Sequence, residues 1–396
     1  MKNNQNLPPL RINKLQKLLL ATGIDAAFLT YSRSTFYYAG TTQPSVLIIL
    51  PDNYFLFVFR GLDSVLEETW LDIEKVHSSS GYEDAREILS NCSILKGSLG
   101  MELDILPVMQ YMKLKETFQD FEILDISHLI LKQRQIKDAN EIESIKNACG
   151  IVDSGHRRLL EVLKEGMTEL ELSAEIEDAQ RKAGHEGMYF MRPFDFFMGR
   201  GPLASGDNLS NIAGKIQSIT GVGLSPSIPM GASRKVIKRG EMIVVDIPTH
   251  HRGYHADQSR TYVLGEPPQI CRTMYNKMKE IADKLLRALK PGIRCDTLHK
   301  MSLSIAQELG MGRFFMRLGK NSKQIPFIGH GIGLELNEPP LIGNHNHEIV
   351  EEGMVLALEL EMSASIGEVV KLEDTILITS YGPEVLTMSP RYLHQI

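Results

Sequence analysis

The stretch Met242-Ile243-Val244-Val245-Asp246-Ile247-Pro248 places an aspartate behind four apolar residues. Such a run reads as a buried strand, and an ionised carboxylate inside it must be offset by a cation or by strong hydrogen-bond donors. A second aspartate, Asp257, follows 11 residues on, past Arg252-Gly253, where the chain can turn back into a strand over 258–264. A hairpin there would bring the two carboxylates together. The arrangement recurs toward the C-terminus. In Met354-Val355-Leu356-Ala357-Leu358-Glu359-Leu360, strand alternation puts Leu356, Leu358 and Leu360 on one face and Glu359 on the other. In Val369-Val370-Lys371-Leu372-Glu373-Asp374-Thr375-Ile376-Leu377, Glu373 shares a face with Val369 and Lys371. Its separation of 14 residues from Glu359, with Gly367 between, fits a second hairpin.

Between the two hairpins lies Gly329-His330-Gly331-Ile332-Gly333-Leu334, whose glycines allow a tight backbone that could carry one imidazole to the acids. Two Asp, two Glu and one His form an oxygen-rich set with one borderline nitrogen, suited to a pair of divalent ions such as Mn²⁺, Fe²⁺, Co²⁺ or Zn²⁺. Four carboxylates would balance the charge of two such ions. Taken singly, an acid in a strand is usually exposed or salt-bridged, and a glycine-flanked histidine is usually structural. The order Asp, Asp, His, Glu, Glu within one region argues for metal.

The surrounding chain is that of a globular protein. Its 396 residues suggest two domains, and 43% hydrophobic and 23% charged residues provide for a sizeable core. Lys plus Arg is 43 and Asp plus Glu 49, a net charge of −6, with no basic stripe of the kind that nucleic acid requires. Cys92, Cys149, Cys271 and Cys295 form no Cys-x-x-Cys pair and read as buried free thiols. The N-terminal MKNNQNLPPL lacks an apolar signal core and no window reaches 18 apolar residues, so a cytoplasmic protein without a membrane partner is expected.

Apolar spacing over 10–22 predicts a helix ended by Gly23, and 25–30 reads as a strand. The runs 45–50 and 54–60, joined by Pro51-Asp52-Asn53, predict a hairpin in an α/β first domain. A Lys/Glu-rich helix over 134–163 joins the domains without a loose linker. Thr168 and Glu171 have the spacing of a capping box, and helices are expected near 267–290 and 295–310.

These residues resemble the pita-bread metallohydrolases, the family of prolidase, Xaa-Pro aminopeptidase, methionine aminopeptidase and the metal-free creatinase. The resemblance is carried by Asp246-Ile247-Pro248 with Gly253-Tyr254-His255-Ala256-Asp257-Gln258-Ser259-Arg260-Thr261, by Gly329 to Leu334 with Glu338-Pro339-Pro340, by Gly353 to Glu359, and by Leu372-Glu373-Asp374-Thr375. Upstream, Arg134-Gln135-Ile136-Lys137 with Glu141-Ile142 and Ala148 is similar to the helix that opens the catalytic domain. Residues 24–40 and 98–112 are similar to the creatinase-type N-terminal domain. The resemblance implies an α/β creatinase-like domain over 1–132, an α+β pita-bread catalytic domain over 133–396, and a homodimer.

It further implies that Asp246 holds one metal, that Asp257 and Glu373 bridge two, and that His330 and Glu359 hold the other. The implied nucleophile is a metal-bridging hydroxide, with Glu359 as general base for cleavage of a small peptide C–N bond. Two departures stand out. Proline-specific members carry a histidine where this chain has Met230, in Ser225-Pro226-Ser227-Ile228-Pro229-Met230-Gly231, and another where it has Asn337, ahead of Glu338-Pro339-Pro340. A thioether carries no proton, whereas Asn337 can still donate to a carbonyl or oxyanion.

His250, His251 and His255 are the nearby candidates to substitute, although solvated loop histidines are the plainer reading. The segment Met191-Arg192-Pro193-Phe194-Asp195-Phe196-Phe197-Met198-Gly199 reads first as core packing and second as a substrate-pocket lining. Arg192 in it could read a substrate carboxylate. The expectation is thus a dinuclear metal-dependent hydrolase resembling Xaa-Pro aminopeptidase or dipeptidase. The alternatives are a metal-dependent hydrolase or lyase acting on a non-peptide metabolite, and a non-catalytic binding protein.

Overall fold

The protein is described by a computed structural model covering residues 7–196, 198, 200–318 and 323–396. Contacts divide the chain into two units, Met1–Arg134 and Gln135–Ile396. The first opens with a helix, Leu7–Thr22, which buries Ile12, Leu15 and Leu19 and ends at Gly23 in the left-handed region (φ 70°). Its sheet contains β1 (Ala26–Leu29), β2 (Ser45–Ile49), β3 (Tyr54–Val58), β4 (Val76–Ser78), β5 (Gly97–Met101) and β6 (Phe121–Asp125) in the order β4-β3-β2-β1-β5-β6. β2 and β3 form the expected antiparallel hairpin, closed by the Leu50 amide on the Asn53 carbonyl. Phe28 packs edge-on against Phe118 in this unit's core.

The stretch expected as one helix over 134–163 is interrupted. One helix, Ser127–Gln135, ends, and a second, Ala139–Val162, restarts behind a capping box in which the Asp138 carboxylate accepts from the Asn140 and Glu141 amides. Competition by Asp138 for backbone amides explains the restart. The Thr168–Glu171 box opens the next helix, Glu169–Lys182, as its spacing predicts.

The remaining strands are β7 (Leu203–Ser205), β8 (Met242–Val245), β9 (Thr249–His251), β10 (Tyr254–Ala256), β11 (Arg260–Val263), β12 (Arg317–Leu318), β13 (Lys323–Gln324), β14 (Phe327–Gly331), β15 (Glu338–Gly343), β16 (Val355–Ser365), β17 (Glu368–Thr379), β18 (Gly382–Val385) and β19 (His394–Gln395). The two larger sheets of the second unit are β19-β11-β8-β7 and β15-β14-β16-β17-β18, and β9 with β10 and β12 with β13 form separate two-stranded pairs. Helices Gln269–Ala288 and Cys295–Glu308 contribute Met274, Tyr275, Met278 and Leu298 to a core shared with Leu356, Leu358 and Leu360 of β16. That face of β16 is apolar, so Glu359 must point to the other. Cys149, Cys271 and Cys295 are buried free thiols, and Cys92 is half-buried and free.

His156 Nδ1 lies 2.7 Å from the Tyr262 hydroxyl, and its ring packs 4.7 Å from that of His394. Burial pushes both imidazoles from 6.5 down to about 4. The folded protein therefore binds fewer protons than the unfolded chain in that interval. Their contribution to stability is complete above about 6.5 and is lost as pH falls from there through about 4. Urea midpoints are expected to fall across this window, less steeply in His156→Gln; equal slopes in the two proteins would refute the assignment.

Candidate metal centre

The two hairpins place the acids. β8 pairs antiparallel with β11, Val245 opposite Arg260, so Asp246 stands just past one strand and Asp257 just before the other. Arg252 (φ 50°) and Gly253 (φ 79°) make the two-residue left-handed turn between β9 and β10. Asp257 is clamped to β17: its amide donates to Thr375 Oγ1 (3.0 Å), whose hydroxyl donates to the Asp257 carbonyl (2.8 Å). In the β16–β17 pair Glu359 lies directly opposite Glu373, and in the β14–β16 pair His330 lies opposite Ala357. Asp257, His330 and Glu373 each offer a ligand atom, and these atoms lie within 4.8 Å of one another. His330 Nδ1 donates to the Gly331 carbonyl (2.9 Å), which leaves Nε2 with its lone pair free to ligate. Nε2 stands 3.7 Å from Glu359 Oε1.

Lys371, unassigned on sequence grounds, enters this cluster. Its Nζ is 2.7 Å from Asp246 Oδ2, 3.0 Å from Glu359 Oε2, 3.3 Å from Glu373 Oε2 and 3.8 Å from Glu361 Oε1. Strand alternation was the available signal, since it puts Lys371 on the Glu373 face. Ser259 Oγ is 2.6 Å from both Asp246 Oδ1 and Glu373 Oε2, yet a hydroxyl has one proton to donate. One of those acids must therefore share a proton or be relieved by a cation. Burial and neighbouring carboxylates raise Asp257 and Glu373 well above the usual range. Burial and the nearby Glu359 likewise raise Glu361, to about 8, against the lowering effect of Lys371. Burial alone would lower Lys371, but Asp246, Glu373, Glu359 and Glu361 outweigh it and hold the ammonium charged. Burial lowers His330 and keeps its ring neutral.

Among the described residues Glu373 Oε1 is buried without a hydrogen-bond partner, an expensive condition for a carboxylate oxygen. Beside it stand the neutral His330 and Asp257. This donor set fits a divalent cation.

Residues 143–380 match the model of Metallopeptidase family M24, well over half of the chain. The chain belongs to that family. Residues 11–136 match the Creatinase/Prolidase N-terminal domain. Across 389 residues this M24 protein is 28% identical to the Xaa-Pro dipeptidase of Pyrococcus furiosus, covering 97% of this chain and 99% of the relative. The solved Xaa-Pro dipeptidase of Bacillus anthracis superposes with a TM-score of 0.83 at 26% identity, covering 98% and 100% of the two chains. The X-Pro aminopeptidase of Thermotoga maritima gives 0.79 at 25% identity over 94% and 98%. The M24 protein is therefore a metallohydrolase with an α/β creatinase-type domain and a pita-bread catalytic domain.

For the residues expected from sequence to lie near a substrate, the M24 chain presents a different picture. Met230 is half-buried and Asn337 exposed. The Arg192 guanidinium is buried 3.7 Å from Glu335 Oε1, so its charge already has an internal partner and it does not stand open to a substrate carboxylate. His255 is fully buried: Nδ1 donates to the Gly333 carbonyl (2.9 Å), and Nε2 accepts from the Phe190 amide (3.3 Å). Both nitrogens serve the backbone, which corrects its reading as a substrate contact. Nor are its neighbours solvated. His250 is buried 2.8 Å from a Glu186 oxygen, and His251 is half-buried, because the hairpin folds inward against the 139–162 helix. Phe194, expected to pack in a core, is 86% exposed. Phe197 and Gly199 lie outside the described residues.

Proposed function

We propose that this M24 protein hydrolyses the bond preceding proline in small peptides, with its water nucleophile activated at the centre formed by Asp246, Asp257, His330, Glu359 and Glu373. The carrying observation is the gathering of Asp257, His330 and Glu373 around one point, with Glu359 facing His330. The relatives named for Xaa-Pro cleavage over nearly the whole chain support the substrate class. A bound divalent ion would bring the pKa of water toward neutrality and polarise the scissile carbonyl.

The protein's own residues do the remainder. Lys371 holds Glu359 Oε2, so Oε1 is left to take the water proton and deliver it to the leaving nitrogen. The Gly331 carbonyl keeps His330 in the ligating tautomer. Asn337, exposed, offers an amide donor to the substrate carbonyl. By the same reading the enzyme is a cytoplasmic homodimer; among the described residues no helix is long and apolar enough to cross a membrane.

The test is an Xaa-Pro peptide panel with chelated protein and with Mn²⁺ or Co²⁺ restored. Metal-dependent release of the N-terminal amino acid is expected. A protein that binds metal but releases none would instead favour a non-peptide substrate, the second reading, which rests on the lack of a titratable group at Met230 and Asn337.

A further inference from the structure

We propose that the Lys371 ammonium takes the place of one of the two cations, so that the centre binds a single divalent ion on Asp257, His330 and Glu373. This rests on the metallopeptidase reading above. An ammonium is a compact charge, and Lys371 sets it within 3.3 Å of three carboxylates, donating to Asp246 Oδ2 (2.7 Å) and lying beside those of Glu359 and Glu373. Both Asp246 oxygens already face donors: Oδ1 the Ser259 hydroxyl, which it shares with Glu373 Oε2, and Oδ2 the ammonium. A divalent ion on Asp246 would stand within a few ångströms of a fixed positive charge in a buried site, where like charges repel strongly.

The lysine is not placed to leave. Its side chain is 2% exposed, its Nζ also donates to Ser218 Oγ (2.8 Å), and its backbone is tied both ways to Thr261 Oγ1 (2.9 and 2.7 Å). On the opposite side of Glu373 the situation reverses. Oε1 has no hydrogen-bond partner among the described residues, His330 Nε2 carries a lone pair, and Asp257 completes a set of two carboxylates and one imidazole.

Metal-free full-length protein would be saturated with Mn²⁺, desalted, and measured by elemental analysis and electron paramagnetic resonance. Expected are one ion per chain with an uncoupled Mn²⁺ spectrum in the wild type, and one in Asp246→Asn with its affinity little changed. Lys371→Met is expected to take two, with spin coupling. Two ions in the wild type, loss of an ion in Asp246→Asn, or a folded Lys371→Met that still takes one would each overturn the proposal. If Lys371→Met does not fold, Asp246→Asn decides alone. Two ions with peptidase activity would sink this inference and spare the metallopeptidase reading; no ion at all would sink both.

Discussion

Glu359→Ala is expected to lower kcat toward Xaa-Pro peptides by about 10²–10⁴-fold, the usual scale for loss of a positioned general acid–base, while the protein stays folded. Glu359 stands mid-strand in β16, opposite Glu373, with one oxygen held by Lys371 and the other facing His330. Removing it takes one anion from a crowd whose repulsion helps to raise Asp257 and Glu373, so the metal-free variant should lose little stability. The flanking Leu358 and Leu360 keep their core contacts. Initial rates beside thermal unfolding under chelation separate the two effects. Wild-type turnover by Glu359→Ala would remove it from the chemistry, and collapse of the chelated variant would show its role to be structural.

Arg260→Leu is expected to cost about 3–5 kcal/mol of stability, because it breaks a buried ion pair, leaves the Asp374 carboxylate with one cation in place of two, and takes the donor from buried carbonyls. The Arg260 side chain is fully buried. Its guanidinium donates to Asp374 Oδ1 (2.7 Å) and to the carbonyls of Glu373 (2.6 Å), Ser389 (2.8 Å) and Pro390 (3.0 Å). Burial raises Asp374, but Arg260 and Arg391 outweigh it and hold the carboxyl below its ordinary range. With Arg260 gone, Asp374 keeps Arg391 (2.7 Å) and Thr387 (2.8 Å), while the Glu373 carbonyl loses its donor. Metal affinity should fall too, since that carbonyl belongs to Glu373, one of the residues proposed to hold the ion. Denaturant unfolding of the metal-free protein measures the stability term, and a loss below about 1 kcal/mol would contradict it. The double variant Arg260→Leu/Asp374→Leu should recover part of the loss, because the buried carboxylate is gone while Arg391 keeps Asp283 (2.6 Å).

Much of this molecule could be read along the chain because its signals are local. Alternation in 354–360 and 369–377 determined which face each acid takes, and the Glu359–Glu373 pairing in the structure agrees with it. The Thr168 box and the Pro51–Asn53 turn depend on neighbours a few residues apart, and both are present. Asp138, with its own Glu141 three residues on, carried an equally local signal for the break before residue 139. The order Asp246, Asp257, His330, Glu359, Glu373 determined by itself that acids and one imidazole could converge.

What each charge then meets was decided only by the tertiary structure. Lys371 is two residues from Glu373, yet its ammonium reaches Asp246, 125 positions away, because β17 lies against β11, which in turn pairs with β8. Arg192 looked available and is turned to Glu335; His255 looked solvated and is committed at both nitrogens to Gly333 and Phe190. A side chain's partner depends on the register between remote strands and on its reach in three dimensions. In a buried site those distances, rather than residue type, determine which charge is neutralised from within the protein and which is left for an ion.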